Sequence, residues 1–131
     1  MTRRHGFTLV ELVVVVMILG ILAAVAAPKL LGTSQTATQN GAKQTLSVIR
    51  DAIERYAAQN GGALPTAPAT DLIADELLRS PFPKCPIGAN AGSAAVAVEA
   101  AATLTVGGIE GWRYSSQTGE FIINDGAYSS Y

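Results

Sequence analysis

Cysteine and histidine are nearly absent from this sequence. Its 131 residues contain one Cys, Cys85, and one His, His5. A single Cys excludes an intrachain disulfide, and the composition offers too few ligands for a zinc site built from Cys and His. Because no histidine follows His5, neither a Ser/His/Asp nor a Cys/His catalytic arrangement can form in the rest of the chain. The sequence therefore predicts no enzyme, no catalytic residue and no metal ligand set.

Charge is also scarce. Charged residues make up 15% of the chain, and the formal net charge is -1. Beyond Arg3 and Arg4 no basic stretch occurs, so a nucleic-acid groove is not predicted. The glycines at 107, 108 and 111 have the wrong spacing for a phosphate-binding loop. Nucleic acids and nucleotides are therefore not expected as ligands.

In place of charge, the sequence has a long apolar run from Phe7 to Ala27, in which only Glu11 is charged. A helix of about 21 residues rises roughly 30 Å, the thickness of the hydrocarbon core of a bilayer. A carboxylate inside such a segment costs on the order of 3 kcal/mol, so a neutralising cation is expected nearby. Arg3 and Arg4 place the amino terminus in the cytoplasm by the positive-inside rule.

The stretch Gly6-Phe7-Thr8-Leu9-Val10-Glu11 resembles the processing site of type IV prepilins and of the pseudopilins of type II secretion systems. In that family a membrane peptidase cuts after the glycine and methylates the new amino-terminal residue. The resemblance implies a leader of residues 1–6, cleavage between Gly6 and Phe7, and an N-methylated Phe7. The family's glutamate matches Glu11 and pairs with the amino terminus of a neighbouring subunit, so Phe7 and Glu11 are the expected assembly residues.

Two other interpretations of this segment stay open. A secretory signal peptide has a shorter apolar core, but Ala23 to Ala27 imitates its small-residue cleavage site. A plain single-pass anchor explains the length of the run but neither Glu11 nor the Gly6–Phe7 junction. In the second case the chain is a membrane-tethered periplasmic binding domain, in which the leader is retained and Glu11 is dispensable.

Gly20 and Pro28 interrupt the apolar helix, since glycine weakens a helix interior and proline removes a hydrogen bond. In type IV pilins a glycine and a proline at matching places border a segment that loses helicity in the filament. The resemblance thus implies a stretchable joint, and a gentle bend at the membrane surface is the alternative. Residues 7–28 are the expected transmembrane and filament-core helix, and residues 29–131 the expected periplasmic globular domain.

From Gly32 to Asn60 the sequence turns polar but keeps a helical period. Apolar side chains recur every three or four residues at Leu46, Ile49, Ile53 and Tyr56. Arg50–Glu54 and Asp51–Arg55 have the spacing of i,i+4 ion pairs. Joined to the apolar run, this stretch makes one helix of about 54 residues whose apolar stripe needs a cover. The resemblance implies the type IV pilin-like α+β fold, in which the long helix packs under a small carboxy-terminal antiparallel sheet.

The sequence signals for the remaining secondary-structure elements are weaker. Thr70 is the predicted cap of a short helix from Asp71 to Arg79. Ala89 to Ala102 is predicted as a loop leading into a strand, and Ala102 to Val106 as a weak strand. Residues 111–115 and 120–124 flank a loop that ends in glycine, which predicts a hairpin. Trp112 and Tyr114 share one face of it, either with Phe121 and Ile123 or with Ile122, and are expected to cover the helix stripe.

Two features bear on ligands. Major pseudopilins often bind calcium through acidic residues near this end of the chain, and Asp125 and Glu120 are present, but no clear acidic cluster supports a calcium site. No cofactor is therefore predicted. Cys85 is expected to be a small half-buried residue in a proline-rich loop, with an intermolecular bridge as the alternative.

The resemblance implies a structural subunit of the pseudopilus of type II secretion. Its expected partners are copies of itself, minor pseudopilins or pilins, the prepilin peptidase, the inner-membrane assembly platform and the membrane. The chain would cross the inner membrane once, with its carboxy-terminal domain in the periplasm, before entering a periplasmic pseudopilus or an extracellular pilus. A type IV pilus subunit for adhesion, motility or DNA uptake is the alternative. Many type IVa pilins close a carboxy-terminal loop with a disulfide, so the single Cys, together with the small domain and the simple terminal hairpin, favours the pseudopilin.

Overall fold

The computed structural model describes residues 6–131, apart from the side chains of residues 30 and 31, and has an α+β fold. The predicted leader therefore lies, except for Gly6, outside the described residues. Two helices are followed by three short strands: α1 Leu9–Gln59, α2 Pro68–Ala74, β1 Val96–Glu99, β2 Trp112–Ser115 and β3 Phe121–Ile123. One long amino-terminal helix and a small carboxy-terminal sheet confirm the predicted pilin-like class.

The chain divides into two compact units, Met1–Ala37 and Thr38–Tyr131, and α1 contributes residues to both. In the first unit the side chains of residues 6–29 and 32–37 are all exposed. The helix runs without a break through Gly20 and Pro28. A loss of helicity between these two residues on assembly stays a prediction.

The second unit has its core between the later part of α1 and the sheet. The predicted apolar stripe is confirmed, since Leu46, Ile49 and Ile53 are buried and Tyr56 is partly buried against them. Trp112 and Tyr114 are opposite Ile123 and Phe121 in the antiparallel pair β2–β3, and all four side chains are buried. The ring of Phe121 lies 5.4 Å from that of Trp112 and 6.2 Å from that of Tyr114 between centroids. The hairpin and its core face are thus as predicted.

The sheet is mixed, not antiparallel throughout as predicted. Its order is β1-β2-β3, and β1 pairs with β2 in parallel, with Val96 opposite Trp112. The predicted strand at Ala102 to Val106 is wrong. No strand forms in this segment, which instead belongs to the crossover that parallel pairing of β1 with β2 requires.

The short helix begins and ends earlier than predicted. Pro68 occupies its first turn, and Thr70 lies inside the helix and does not cap it. The Asp71 carboxylate accepts the main-chain N–H groups of Thr66 at 2.9 Å and Ala67 at 2.8 Å. These bonds satisfy amides that precede the helix, and Pro68 has no N–H to satisfy. The helix stops at Ala74 because the chain turns away through Glu76, whose φ is 57°.

Arg50 bonds to main-chain oxygens and not to Glu54. Its Nε donates to the carbonyl of Phe121 at 3.0 Å, and its terminal nitrogen donates to the main-chain oxygen of Tyr131 at 2.8 Å. Neither predicted i,i+4 pair forms; within residues 6–131 the one ion pair joins Arg113 and Glu99. Because β3 is an edge strand, its carbonyls are available, and Arg50 fastens the helix to that edge.

Candidate functional site

The amino-terminal end of α1 is capped by the side chains of Thr8 and Glu11. The Glu11 carboxylate accepts the main-chain N–H of Thr8 at 2.9 Å and the Thr8 hydroxyl at 2.8 Å. The Glu11 N–H in turn donates to the Thr8 hydroxyl oxygen at 3.2 Å. This is a capping box, in which a threonine and a glutamate three residues later satisfy each other's free amides. Sequence reasoning missed it, although the spacing Thr-x-x-Glu was its signal.

Around this carboxylate the helix surface is apolar and uncovered. A window of α1 with a mean hydropathy of 2.9 has none of its residues buried within the protein, and the helix is long and apolar enough to cross a membrane. Phe7 is 74% exposed and Leu9 78%. Monomeric soluble proteins do not expose apolar surface on this scale, so the segment requires lipid or other helices around it. Glu11 is the charged group that such surroundings would enclose.

The two residues of the predicted cleavage site precede the helix. Gly6 and Phe7 have no regular secondary structure, and a Cβ atom built on Gly6 would have no neighbour within 4 Å. The described protein therefore gives no packing reason for glycine at this position. Gly20 is in the same situation inside α1. Cleavage, methylation and the roles of Phe7 and Glu11 in assembly remain predictions.

Of the two acidic residues considered for calcium, Asp125 is engaged by hydrogen-bond donors. The Asp125 carboxylate accepts the N–H groups of Ala89 and Ala127, both at 2.9 Å, and these bonds hold the pKa of Asp125 below its usual value. Glu120 lies elsewhere, beside a crevice that Arg50 also lines. Within residues 6–131 no three His, Cys, Asp or Glu side chains are grouped to hold a metal ion.

Cys85 is more deeply buried than predicted, with 1% of its surface exposed. Its thiol donates to the carbonyl of Ile87 at 3.1 Å, and burial raises the pKa of the thiol. A buried thiol with a raised pKa forms little thiolate and reacts slowly. This position does not support the alternative of a bridge to another chain.

A known protein-family model matches the amino terminus of the chain. Residues 1–27 match the family model described as the prokaryotic N-terminal methylation motif. The chain carries that motif. The match includes Gly6, Phe7, Thr8 and Glu11, the residues from which the prepilin and pseudopilin resemblance was drawn, and the resemblance is confirmed.

Curated relatives extend the similarity beyond the motif. The chain is 33% identical to "Type II secretion system core protein G" of Aeromonas hydrophila over 82 residues, which are 63% of this chain and 57% of the relative. It is 35% identical to the protein of the same name from Pseudomonas aeruginosa over 82 residues, 63% of this chain and 58% of the relative. "Type IV narrow pilus major component PilA5" of Thermus thermophilus is 38% identical over 64 residues, 49% of this chain and 54% of that protein.

The chain thus spans a little over half the length of these relatives. None of their names describes an enzymatic activity. No solved structure matches the chain. The methylation motif and the apolar helix that begins within it fit a single-pass anchor in the inner membrane.

Proposed function

We propose that this chain is a structural subunit of a pseudopilus, the periplasmic filament of a type II secretion system, and that it is not an enzyme. The observation that carries the proposal is a methylation motif whose glutamate lies in an uncovered apolar helix of membrane length. The similarity to type II secretion core protein G from several bacteria supports a pseudopilin.

The proposed pathway uses three parts of the chain. Residues 1–6 are the leader, which the prepilin peptidase removes before it methylates Phe7. Residues 7–28 hold the subunit in the inner membrane, with the amino terminus in the cytoplasm. Residues 29–131 form the periplasmic part, and an inner-membrane assembly platform then brings the subunit into a filament with further copies and minor pseudopilins.

Glu11 has a distinct partner at each stage of this proposal. In the single subunit, the capping box gives the carboxylate two hydrogen bonds from Thr8 but no positive charge. A carboxylate at membrane depth costs on the order of 3 kcal/mol. In the filament, the amine of a neighbouring Phe7 would supply the cation and lower that cost. Assembly is therefore favoured by pairing a charge that the membrane leaves unpaired.

Three variants test this role. Gly6→Ala should leave the leader attached, which mass spectrometry of the purified chain would detect. Glu11→Ala removes both the cap and the charge, and should spare membrane insertion but abolish filaments. Glu11→Gln is the matched control, because glutamine also serves in a capping box but carries no charge. Filaments absent from both Glu11 variants would support charge pairing; normal filaments from Glu11→Ala would overturn the assembly role.

A surface pilus is the second candidate, favoured by the similarity to the narrow-pilus component of Thermus thermophilus. Gentle shearing of cells followed by immunoblotting separates the two. A pilus subunit would appear in long extracellular filaments, and a pseudopilin would remain in the cell envelope. In the second case a deletion strain should retain secreted proteins in its periplasm.

A further inference from the structure

The loop from Gly107 to Glu110 is held firmly although it lies at the surface. The Asn124 side chain, 4% exposed, donates to the carbonyls of Gly107 and Glu110, both at 2.7 Å, and accepts the N–H of Gly107 at 2.7 Å. Asn90 donates to the carbonyl of Glu110 at 2.9 Å, and the N–H of Ile109 donates to the Glu110 carboxylate at 3.1 Å. These bonds fix the loop from both sides.

This fixed loop presents one large apolar side chain to solvent. Ile109 is 84% exposed, the most exposed of the large apolar side chains in the described part of the chain. An isoleucine in this setting contributes little to the core of its own unit. A side chain held in place before contact loses little conformational entropy when it binds, which favours its use at an interface.

A shallow crevice of about 390 Å³ lies between α1 and Pro83. We call it the Val48 crevice; its lining residues on α1 are Gly41, Gln44, Thr45 and Val48. Val48 is 47% exposed. A Cβ atom on Gly41 would meet nothing within 4 Å, so no packing within the chain requires a glycine there. Since glycine weakens a helix interior, its presence is explained if another chain comes close to the backbone at this point.

We propose that Ile109 of one copy inserts into the Val48 crevice of a second copy. The two surfaces carry one pair of opposite charges, since Glu110 follows Ile109 and the exposed Lys84 follows Pro83. Asp51 and Arg55, of opposite sign to each other, line the neighbouring crevice on another side of Val48. The two surfaces share no residue, so the contact joins unlike faces of identical chains. Such a contact builds an open helical chain when its rotation does not close a ring. The inference deepens the proposed filament function and rests on it.

Cysteine cross-linking in filament-forming cells tests the contact. The full-length variant carrying Ile109→Cys and Val48→Cys should give, on mild oxidation, a ladder of covalent oligomers. Each single variant and the parent chain should give none, because Cys85 is buried. Val98→Cys combined with Val48→Cys is the matched control, since Val98 is 45% exposed on a different element and should not yield a ladder.

Substitution without new cysteines gives an independent measure. Gly41→Ala should raise the midpoint of unfolding of the full chain in detergent, because alanine strengthens the helix, and yet lower filament yield. Ile109→Ala should reduce filament yield about tenfold, the loss expected when a buried side chain of this size is truncated at a contact. Ser47→Ala, an exposed helix position outside the crevice, should leave filament yield unchanged.

The outcomes separate this inference from the function on which it rests. Filaments of the double-cysteine variant that show no ladder, or a cross-linked product that migrates as a monomer, would overturn the Ile109 contact and leave the filament proposal intact. Full filament yield from both Gly41→Ala and Ile109→Ala would do the same. Absence of filaments even from the parent chain in cells with the secretion system would overturn both.

Discussion

Replacing Asn124 by alanine removes the side chain that ties residues 107–110 to the end of β3. Four hydrogen bonds are lost: two to the carbonyls of Gly107 and Glu110, one from the N–H of Gly107, and one from Nε of Arg113 at 3.2 Å. Because Asn124 is buried, water replaces these partners only in part. The structure therefore makes this position one of the more sensitive outside the apolar core.

The expected loss of stability follows from what each hydrogen bond contributes to the free energy of unfolding. A typical hydrogen bond adds about 1 kcal/mol net to stability, and a buried group left without a partner costs about 1–3 kcal/mol. The two carbonyls lie in an exposed loop and regain water, whereas the Arg113 guanidinium keeps its bonds to Glu99 and Gly107. We therefore expect Asn124→Ala to lower the free energy of unfolding by about 2–3 kcal/mol.

Trp112 supplies the assay. It is the only tryptophan in the chain and is fully buried in the second unit, so its fluorescence reports unfolding of that unit without interference from the apolar helix. Denaturant titration of the full chain in detergent would compare Asn124→Ala with Asn40→Ala, an exposed helix position where no loss is expected. A change of less than about 0.5 kcal/mol for Asn124→Ala, the size typical of neutral surface substitutions, would refute the reasoning.

Two further predictions concern polar groups of the second unit. Arg50→Met should lower stability by about 1–2 kcal/mol in the same titration, because its bonds to Phe121 and Tyr131 are lost, while the exposed Arg55→Met should change it little. Equal effects of the two arginine substitutions would contradict the assignment. The pKa of Asp125 is lowered by its amide bonds, so its contribution is present above the carboxyl's ordinary pKa and is lost as pH falls through the lowered value. Stability of Asp125→Asn should depend less on pH in the acid range, and an unchanged acid profile would contradict this.

Local periodicity predicted the parts of the fold that depend on one element at a time. The spacing of Leu46, Ile49 and Ile53 defines a helix face, and the alternation around Trp112 and Tyr114 defines a strand face. The side chains that each period selects are buried, although Ser115 and Ile122 on the other face of the hairpin are buried too. The hairpin could also be predicted locally, because its two strands are joined by a short loop.

Features that depend on partners distant in the sequence could not be predicted from local periodicity. Ala102 to Val106 has residues suited to a strand, but it lies in the connection between β1 and β2, whose parallel pairing the local sequence does not reveal. Arg50 has Glu54 one turn away, yet its guanidinium reaches carbonyls about seventy and eighty residues further along the chain. The choice between a local and a distant partner depends on tertiary packing, which spacing alone does not contain.

At the site itself, the resemblance of residues 6–11 to a prepilin processing site assigned roles to Gly6, Phe7 and Glu11, which stay predictions, and it did not give their geometry. Glu11 was expected to need a cation, and that need still follows from its apolar surroundings. The structure adds the bonds to Thr8, which lie within the reach of sequence reasoning because they join residues three apart. The proposed contact between Ile109 and the Val48 crevice could not be predicted from the sequence, because it depends on a loop conformation fixed by Asn124.

The Thr8–Glu11 pair also determines where helical backbone begins. Because Thr8 is the cap, the helix starts at Leu9, and the Gly6–Phe7 bond lies two residues outside it. A peptide bond inside a helix has its amide and carbonyl engaged within the segment, and a protease must unwind it before cutting. The same threonine and glutamate therefore leave the proposed scissile bond in non-helical backbone, which a protease can bind without first unwinding a helix.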